Sequence, residues 1–348
     1  MNAVVIDLVK LRDFESGLGQ FCFHLHRNFQ NKADYAFLTH RAARRYFGPG
    51  DKLAIARPWN KIGLGLPCAS VWHSTHQDSP YFPFRTSARK ILTIHDLSYV
   101  HQRADRPRKV QPYLRRLQRK IDASDVVVFV SEFTRDDAGK HLKTGHRETQ
   151  VIYNGIALTD EGPVPFPLPT ERKFLLSIGK FHPRKNLLPL VKMMTFLEDF
   201  ALVIAGDDTG ACADEVRSLI RQLNLGDRVF TVGRVDESGK RWLYEKCELL
   251  AMPSSHEGFG LPVVEAHSLG VPTIVSRLAA LPEIAGPDSF YFSSLSPEEM
   301  AANVKEAFDL LALKPTGDRL RKNAARFSWK RAAAGYEEIY RRLREPRG

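Results

Sequence analysis

Cys247-Glu248-Leu249-Leu250-Ala251-Met252-Pro253-Ser254-Ser255-His256-Glu257-Gly258-Phe259-Gly260-Leu261-Pro262-Val263-Val264-Glu265-Ala266-His267-Ser268-Leu269-Gly270 is the most specific stretch of the chain. It reads as a buried strand, a loop and a short helix, with Pro262 at the first helical position and Gly270 as the stop. Gly258-Phe259-Gly260, leading into Leu261, lets backbone N–H groups approach a ligand at the positive end of that helix. Glu257 precedes the loop and Glu265 falls in the first turn after it, with seven residues between them. Carboxylates so placed can flank one bound molecule and accept from sugar hydroxyls on either side of a phosphate cradle. For Glu265 alone, an acid answering the helix dipole is the plain alternative.

The same strand-then-helix alternation extends outward in both directions. Apolar runs at Ala3–Val9, Tyr35–Thr39, Leu53–Arg57, Ala69–His73, Ile91–His95, Val126–Val130 and Gln150–Tyr153 fill the first half. Phe174–Ile178, Ala201–Ala205, Val229–Val232, Glu248–Met252, Thr273–Ser276 and Phe290–Phe292 fill the second. Near-continuous apolar runs, rather than strict alternation, mark strands buried on both faces, and interleaved helices imply parallel sheets. Four prolines between Asp160 and Pro169 cannot continue a helix or central strand and read as a stiff linker. The expectation is an α/β protein of two Rossmann-like, doubly wound parallel-sheet domains facing across a cleft. The first domain spans residues 1–160, the linker 161–170 and the second domain 171–325. Such a cleft suits a nucleotide-bearing ligand.

The 348 residues exceed one ordinary core, and 43% hydrophobic with 26% charged residues excludes wholesale disorder. Cys22, Cys68, Cys212 and Cys247 are scattered, which argues against a zinc cage or a disulfide scaffold and favours a reducing compartment. Met1–Asp7 lacks a basic leader, and no apolar run approaches membrane-span length, so a soluble, cytoplasmic protein is expected. Of the net charge of +11, residues 1–160 hold +10. An anionic partner met by that half, or a merely solvated basic face, accounts for such asymmetry. Arg103–Lys120 carries eight Lys/Arg and one acid. From about Gln111 to Ile121 it puts Tyr113, Leu114, Leu117 and Ile121 on one helical face, a pattern suiting an anionic membrane surface or an ordinary packed surface helix.

Leu175–Leu187 delivers Gly179 and then Lys180, Arg184 and Lys185 where a sheet's carboxyl edge opens, so the cations can neutralise a departing diphosphate. Ser16-Gly17-Leu18-Gly19-Gln20 allows close backbone approach but lacks the third glycine of a dinucleotide fingerprint. His95-Asp96 ends a strand, where a histidine can face the cleft or be a satisfied structural residue. Asn154-Gly155 is a turn signal. No metal-ligand cluster is legible, and no metal or cofactor is expected.

Together these segments resemble the retaining glycosyltransferases of family 4, which have the two-domain GT-B fold. The matching pieces include Gly17-Leu18-Gly19, His95-Asp96, Ser131–Thr134, Val151–Ile156, Gly179-Lys180 with Arg184-Lys185-Asn186, Ala205–Asp207, Val232–Arg234 and the Glu257–Glu265 stretch. Residues 326–348, around Ser328-Trp329, resemble the family's last helix, which crosses back onto the first domain. By that resemblance Lys180 and Lys185 hold the donor's diphosphate with Arg184 nearby, and Gly258, Phe259, Gly260 and Leu261 present N–H groups to sugar and phosphate. It further implies that Glu265 binds the ribose, Glu257 the transferred sugar, and Gly233, Arg234 and Val235 line the base pocket. His95 would contact the sugar and Gly17–Gly19 approach the diphosphate. Where Lys180 stands the family commonly has arginine, so the bidentate fork is lost there.

The implied activity is metal-independent, retaining transfer of a hexose from a GDP- or UDP-linked donor, with mannose as the best guess. The acceptor would be a glycan or a lipid-linked molecule in cell-surface polysaccharide, for instance lipopolysaccharide, synthesis, with Arg103–Lys120 against the inner face of the membrane. A sugar-nucleotide epimerase of the same fold is the enzymatic alternative. A basic nucleic-acid-binding protein is the other, and nucleic acid is not expected because no reading module is present.

Overall fold

A computed structural model describes residues 4–156, 158 and 162–345. Ala3, at the head of the first predicted strand, and Asp160-Glu161, at the start of the proline-rich stretch, lie outside the described residues. The chain divides into two compact units, Met1–Gly155 with Ser328–Gly348, and Ile156–Phe327.

The first unit runs β1 (Val4–Asp7), α1 (Gly17–Asn28), β2 (Tyr35–Thr39), β3 (Lys52–Ile55), β4 (Val71–Ser74), β5 (Arg89–Ile94), α2 (Ser98–His101), α3 (Pro107–Asp122), β6 (Val126–Phe129), α4 (Glu132–Gly139) and β7 (Glu148–Val151). The second runs β8 (Phe174–Ile178), α5 (Leu187–Met193), β9 (Ala201–Ala205), α6 (Ala211–Gln222), β10 (Val229–Gly233), α7 (Glu237–Lys246), β11 (Leu249–Met252), α8 (Leu261–Ser268), β12 (Thr273–Ser276), α9 (Leu281–Ala285), β13 (Phe290–Phe292), α10 (Pro297–Leu313) and α11 (Gly317–Ala324). The last helix, α12 (Trp329–Arg344), belongs to the first unit.

Both sheets are parallel throughout, in the orders β3-β2-β1-β4-β5-β6-β7 and β10-β9-β8-β11-β12-β13. The order reverses between β1 and β4 in one and between β8 and β11 in the other, and ligands of such sheets bind beyond the carboxyl ends of the strands there. Successive residues of a strand feed opposite layers: Val4 and Ile6 pack with α1 and α12, whereas Val5 joins Leu38 and Trp72 on the other face. This two-sided burial is why the runs lack alternation in the sequence.

Trp329, Tyr336 and Tyr340 of α12 are buried in the first unit's core. Tyr340 OH lies 2.6 Å from His73 Nδ1, and Tyr336 OH lies 3.1 Å from Thr93 Oγ1. Glu337 accepts from the backbone N–H groups of Gln30 and Asn31 and from Tyr35 OH, each at 3.0 Å. The helix is thus fixed by buried aromatic area and by hydrogen bonds together.

Three expectations need revision. The unit boundary falls at Gly155/Ile156, a few residues before the expected one, and Phe166 and Leu168 of the stretch read as a stiff linker pack against the second unit's core, so that stretch lies along a domain surface. The basic helix begins earlier than predicted, at Pro107, and tolerates Pro112 in its interior; Pro112 is exposed, so water can satisfy the carbonyl its missing N–H leaves open. Its stripe of Val110, Tyr113, Leu117 and Ile121 is buried against the sheet, so only the cationic side faces out.

Gly155 is a packing position. A Cβ there would lie 2.1 Å from the backbone N of Trp329 and 2.6 Å from its Cγ. Gly155→Ala is expected to cost about 1–3 kcal/mol, the usual range for overpacking, and to lower the thermal midpoint; an unchanged melt would show that the Trp329 contact does not constrain this turn.

Candidate active site

In the second unit, the two loops that leave β8 and β11 meet at the reversal point. Gly179 follows β8 with φ +145°, and a Cβ on it would lie 3.1 Å from Lys185 Nζ, so the lysine chain passes over the bare glycine. Asn186, in the left-handed region at φ 52°, ends the loop and donates from Nδ2 to the Pro253 carbonyl at 2.8 Å. Ser255 N donates to the Arg184 carbonyl at 2.8 Å. These main-chain links register one loop against the other.

Glu257 sits between the cations. Its Oε1 is 2.7 Å from Lys185 Nζ and its Oε2 is 2.8 Å from Arg184 Nη1. Burial alone would raise its pKa, but Lys185 and Arg184 outweigh it and hold the carboxyl at about 2. Lys185 is itself pulled below the ordinary lysine range by burial, with Glu257 opposing. Arg184 also donates from Nη1 to the His256 carbonyl at 2.7 Å.

A second charged group lies at the ends of β9 and β10. Asp207 Oδ2 is 3.3 Å from Lys180 Nζ and 3.1 Å from Arg234 Nη2. The Thr209 hydroxyl donates to Asp207 Oδ1 at 2.7 Å and is the main cause of a pKa lowered to about 2. β8 and β9 approach so closely here that a Cβ on Gly206 would meet the Gly179 carbonyl oxygen at 2.1 Å. Four cations, Lys180, Arg184, Lys185 and Arg234, therefore pair with two carboxylates, leaving two positive charges along the carboxyl edge of the sheet. Fixed positive charge of that size suits a diphosphate.

Glu265 is held differently. Tyr244 OH donates to its Oε2 at 2.8 Å and Lys240 Nζ to its Oε1 at 3.1 Å, while Lys240 also pairs with Glu237 at 2.9 Å. Burial raises its pKa, opposed by Lys240. The sequence reading put Glu265 in the first helical turn; α8 starts at Leu261, so it lies in the second, and its counter-charge is Lys240. Pro262 accordingly takes the second helical position. Gly260, at φ +104°, is the cap of α8, and the Phe259 side chain is buried edge-on against Phe327, with ring centroids 5.4 Å apart. Phe259 is thus a packing residue as well as part of the loop. Val235 packs into the core beside Leu243 and Tyr244.

The first unit has its own concavity at the β1/β4 reversal. A cavity of about 260 Å³ is lined by Leu18, His76, Gln77, Asp78, His95 and Asp96, among others. His95 Nε2 lies 2.8 Å from the Thr75 carbonyl and must donate to it, leaving Nδ1 as the acceptor; burial lowers its pKa to about 4, so the ring is neutral. Gln77 accepts from His95 N and donates to the Asp96 carbonyl. Lys120, which the sequence grouped with the basic surface, is buried: its Nζ donates to the carbonyls of Gln77 at 2.7 Å and Ser79 at 2.6 Å. Burial lowers its pKa to about 8 and raises that of its neighbour Asp7 to about 6. The Ser79 hydroxyl donates to Asp7, so the β4 loop is tied to β1 and α3 at once.

Gly19 is required by the chain itself. A Cβ there would meet the Asp13 carbonyl oxygen at 2.0 Å, and the Gly19 N–H donates to the Ser16 hydroxyl at the start of α1. Its glycine is explained by that approach alone; nothing lies within 4 Å of a Cβ on Gly17. Sequence reasoning missed Lys240, Tyr244 and Gln77, and named Asp207 only as part of the Ala205–Asp207 match, without its ion pairs. Lys240 lies three residues after Glu237, a spacing that gives no sign of its second partner, Glu265.

Two Rossmann-like parallel-sheet units, the second with cations at its reversal point, have the architecture of the GT-B fold. The glycosyl transferases group 1 model matches residues 160–327 and the Glycosyltransferase Family 4 model matches residues 69–160. The chain belongs to glycosyltransferase family 4. It is 29% identical over 239 residues, 65% of its length, to an uncharacterized glycosyltransferase of Bacillus subtilis. It is 26% identical over 225 residues, 62% of its length, to the GDP-mannose:cellobiosyl-diphosphopolyprenol alpha-mannosyltransferase of Komagataeibacter xylinus. The matches span 56% of each relative, little more than half. Sucrose-phosphate synthase from Thermosynechococcus elongatus has the same fold, with a TM-score of 0.82 at 18% identity over 99% of both chains.

His267 of α8 holds the helix that bears Glu265. Its Nδ1 faces the Asn323 amide at 3.1 Å, and its Nε2 is 3.0 Å from Thr273 Oγ1 and 3.1 Å from Ser289 Oγ. Burial lowers its pKa from 6.5 to about 4. The unfolded chain therefore binds a proton that the native state refuses between those values, and stability falls as pH drops from 6.5 towards 4, by about 3 kcal/mol for this group. Thermal midpoints recorded across that window should fall more steeply in the native chain than in His267→Gln; parallel slopes count against this assignment.

Proposed function

We propose that the protein transfers a hexose, mannose in the first instance, from a nucleoside diphosphate sugar to a hydroxyl of a glycan or lipid-linked acceptor, with retention at the anomeric carbon. The observation that carries the reading is the pairing of Arg184 and Lys185 with Glu257 at the sheet reversal, beside Lys180 and Arg234. GDP-mannose and a diphosphopolyprenol-linked sugar in the name of the Komagataeibacter relative favour that donor and that class of acceptor.

The sugar–phosphate bond breaks as negative charge grows on the leaving diphosphate. Lys185 and Arg184 stabilise that charge, and Lys180 and Arg234 take up the remainder. Glu257, ionised between its cations, orients the sugar through its hydroxyls and opposes the lowering of the Lys185 pKa by burial. The acceptor hydroxyl attacks from the face the diphosphate leaves, and a phosphate oxygen takes its proton, so the side chains need supply no separate base. Fixed cations thereby fill the charge-neutralising role that a divalent ion plays elsewhere. Glu265, with Tyr244 and Lys240 orienting it, retains lone pairs for the ribose hydroxyls.

A panel of UDP-, GDP- and ADP-sugars should raise the melting midpoint for one nucleotide class. With that donor, Lys185→Met and Glu257→Gln should each lose on the order of 10²-fold in turnover while remaining folded by circular dichroism. Full turnover in both folded variants would overturn the reading.

The outward cations of α3 give the first unit a surface for anionic lipid. Among the described residues no helix is long and apolar enough to cross a membrane, and the apolar stripe of α3 is packed inside. Attachment would therefore be electrostatic, worth roughly 1 kcal/mol per Lys or Arg near the surface. Sedimentation with phosphatidylglycerol vesicles should be lost at high salt and in Lys109→Glu/Arg115→Glu; equal sedimentation with phosphatidylcholine vesicles would refute it.

A further inference from the structure

A cluster in the first unit, outside both charged groups described above, gathers three side chains that the sequence holds apart. His101 ends α2, Asp137 lies in α4, and His141 follows α4 by two residues. Backbone bonds from His141 N and Leu142 N to the Ala138 carbonyl continue the helical turn, which brings His141 onto the face of Asp137, four residues earlier. The ligand atoms of all three lie within 4.8 Å of one another. His101 Nε2 is 2.7 Å from Asp137 Oδ2, and the two imidazole centroids are 6.0 Å apart.

We propose that His101, Asp137 and His141 form a site for a divalent transition-metal ion of the zinc class, with water completing its shell. Two imidazoles and a carboxylate suit zinc, cobalt or nickel, whereas magnesium and calcium prefer oxygen alone. Asp137 is 2% exposed and forms the fixed corner. Both histidines are exposed and can rotate to the spacing of about 3.3 Å that four-coordinate zinc imposes on its ligand atoms. Binding replaces the His101–Asp137 hydrogen bond with two bonds to the ion, and no electron is transferred.

Lys140 sets the affinity. Its Nζ is 3.7 Å from Asp137 Oδ1, so a bound cation must displace it; the lysine is two-thirds exposed and can swing into solvent. An ion here would tie α2 to α4, and α2 carries Ser98 and Tyr99 of the cavity wall.

The test is Co²⁺ titration of the full chain, without added histidines and after chelator treatment, followed by visible absorption and competition with Zn²⁺. One Co²⁺ per chain is expected, displaced by Zn²⁺ and insensitive to Mg²⁺. His101→Ala and His141→Ala should each weaken it at least about tenfold, as loss of even an outer-shell partner does. Lys140→Ala should tighten it, which a generic surface histidine would not show. His141→Ala should melt as the native chain does in chelator, since that side chain is exposed, whereas His101→Ala also removes the 2.7 Å partner of buried Asp137 and should melt lower. Unchanged Co²⁺ binding in the double histidine variant, or no binding by the native chain, overturns the proposal.

Discussion

A carboxylate taken out of water and placed between two cations governs the second unit. Glu257, with only about a tenth of its side chain exposed, would be protonated or expelled if it stood alone, because burying a charge costs several kcal/mol. Arg184 and Lys185 come from the loop after β8 and Glu257 from the loop after β11, so satisfying the charge also joins two loops that the sheet merely places side by side. The same pairing prepares the cations for catalysis. Ammonium and guanidinium groups already desolvated and held by a carboxylate need little reorganisation when a phosphate charge develops beside them.

The two acids of the Glu257–Glu265 stretch are chemically unlike although they sit on one strand–loop–helix segment. Glu257 meets two cations, and their field exceeds the burial penalty, so its pKa falls. Glu265 meets one, Lys240, which is shared with Glu237, and burial dominates, so its pKa rises. A permanently charged carboxylate suits a post beside a shifting charge. One pinned between a phenol and an ammonium group suits the geometric recognition of hydroxyls.

The strands were legible because two-sided burial writes itself into local composition. Each predicted run overlaps a strand, and Tyr35–Thr39, Phe174–Ile178, Ala201–Ala205, Thr273–Ser276 and Phe290–Phe292 match end to end. Runs such as Ala69–His73 slipped, since an apolar residue before a strand packs much like one within it; β4 begins at Val71. The cations after β8 and the paired acids were legible as types at a spacing. Their partners were not, because a contact such as Tyr244 OH to Glu265 depends on how α7 lies against α8. Lys120 shows the limit most clearly: in a run of eight Lys/Arg nothing local distinguishes the one whose ammonium group turns inward. Nor does sequence bring His101 towards Asp137, 36 positions later; the fold does, by setting the end of α2 within hydrogen-bond reach of α4.

Lys120 also shows that the first unit uses the same construction as the second. Its ammonium group reaches the carbonyls of Gln77 and Ser79, Ser79 is bonded to the buried Asp7, and Gln77 binds His95 N and the Asp96 carbonyl. The ends of β1, β4 and β5 are thus drawn together by one inward-facing cation and one buried carboxylate, as the ends of β8 and β11 are by Lys185 and Glu257. Backbone carbonyls at strand ends lack ladder partners and must be satisfied by something else when buried. A long cationic chain from a neighbouring element does so without filling the space beyond the sheet edge, as a bulky side chain would. Gln77, which lines the cavity beside His76 and His95, is one of the residues so held. Part of the first half's positive charge is therefore structural, and only the remainder is available to an anionic partner.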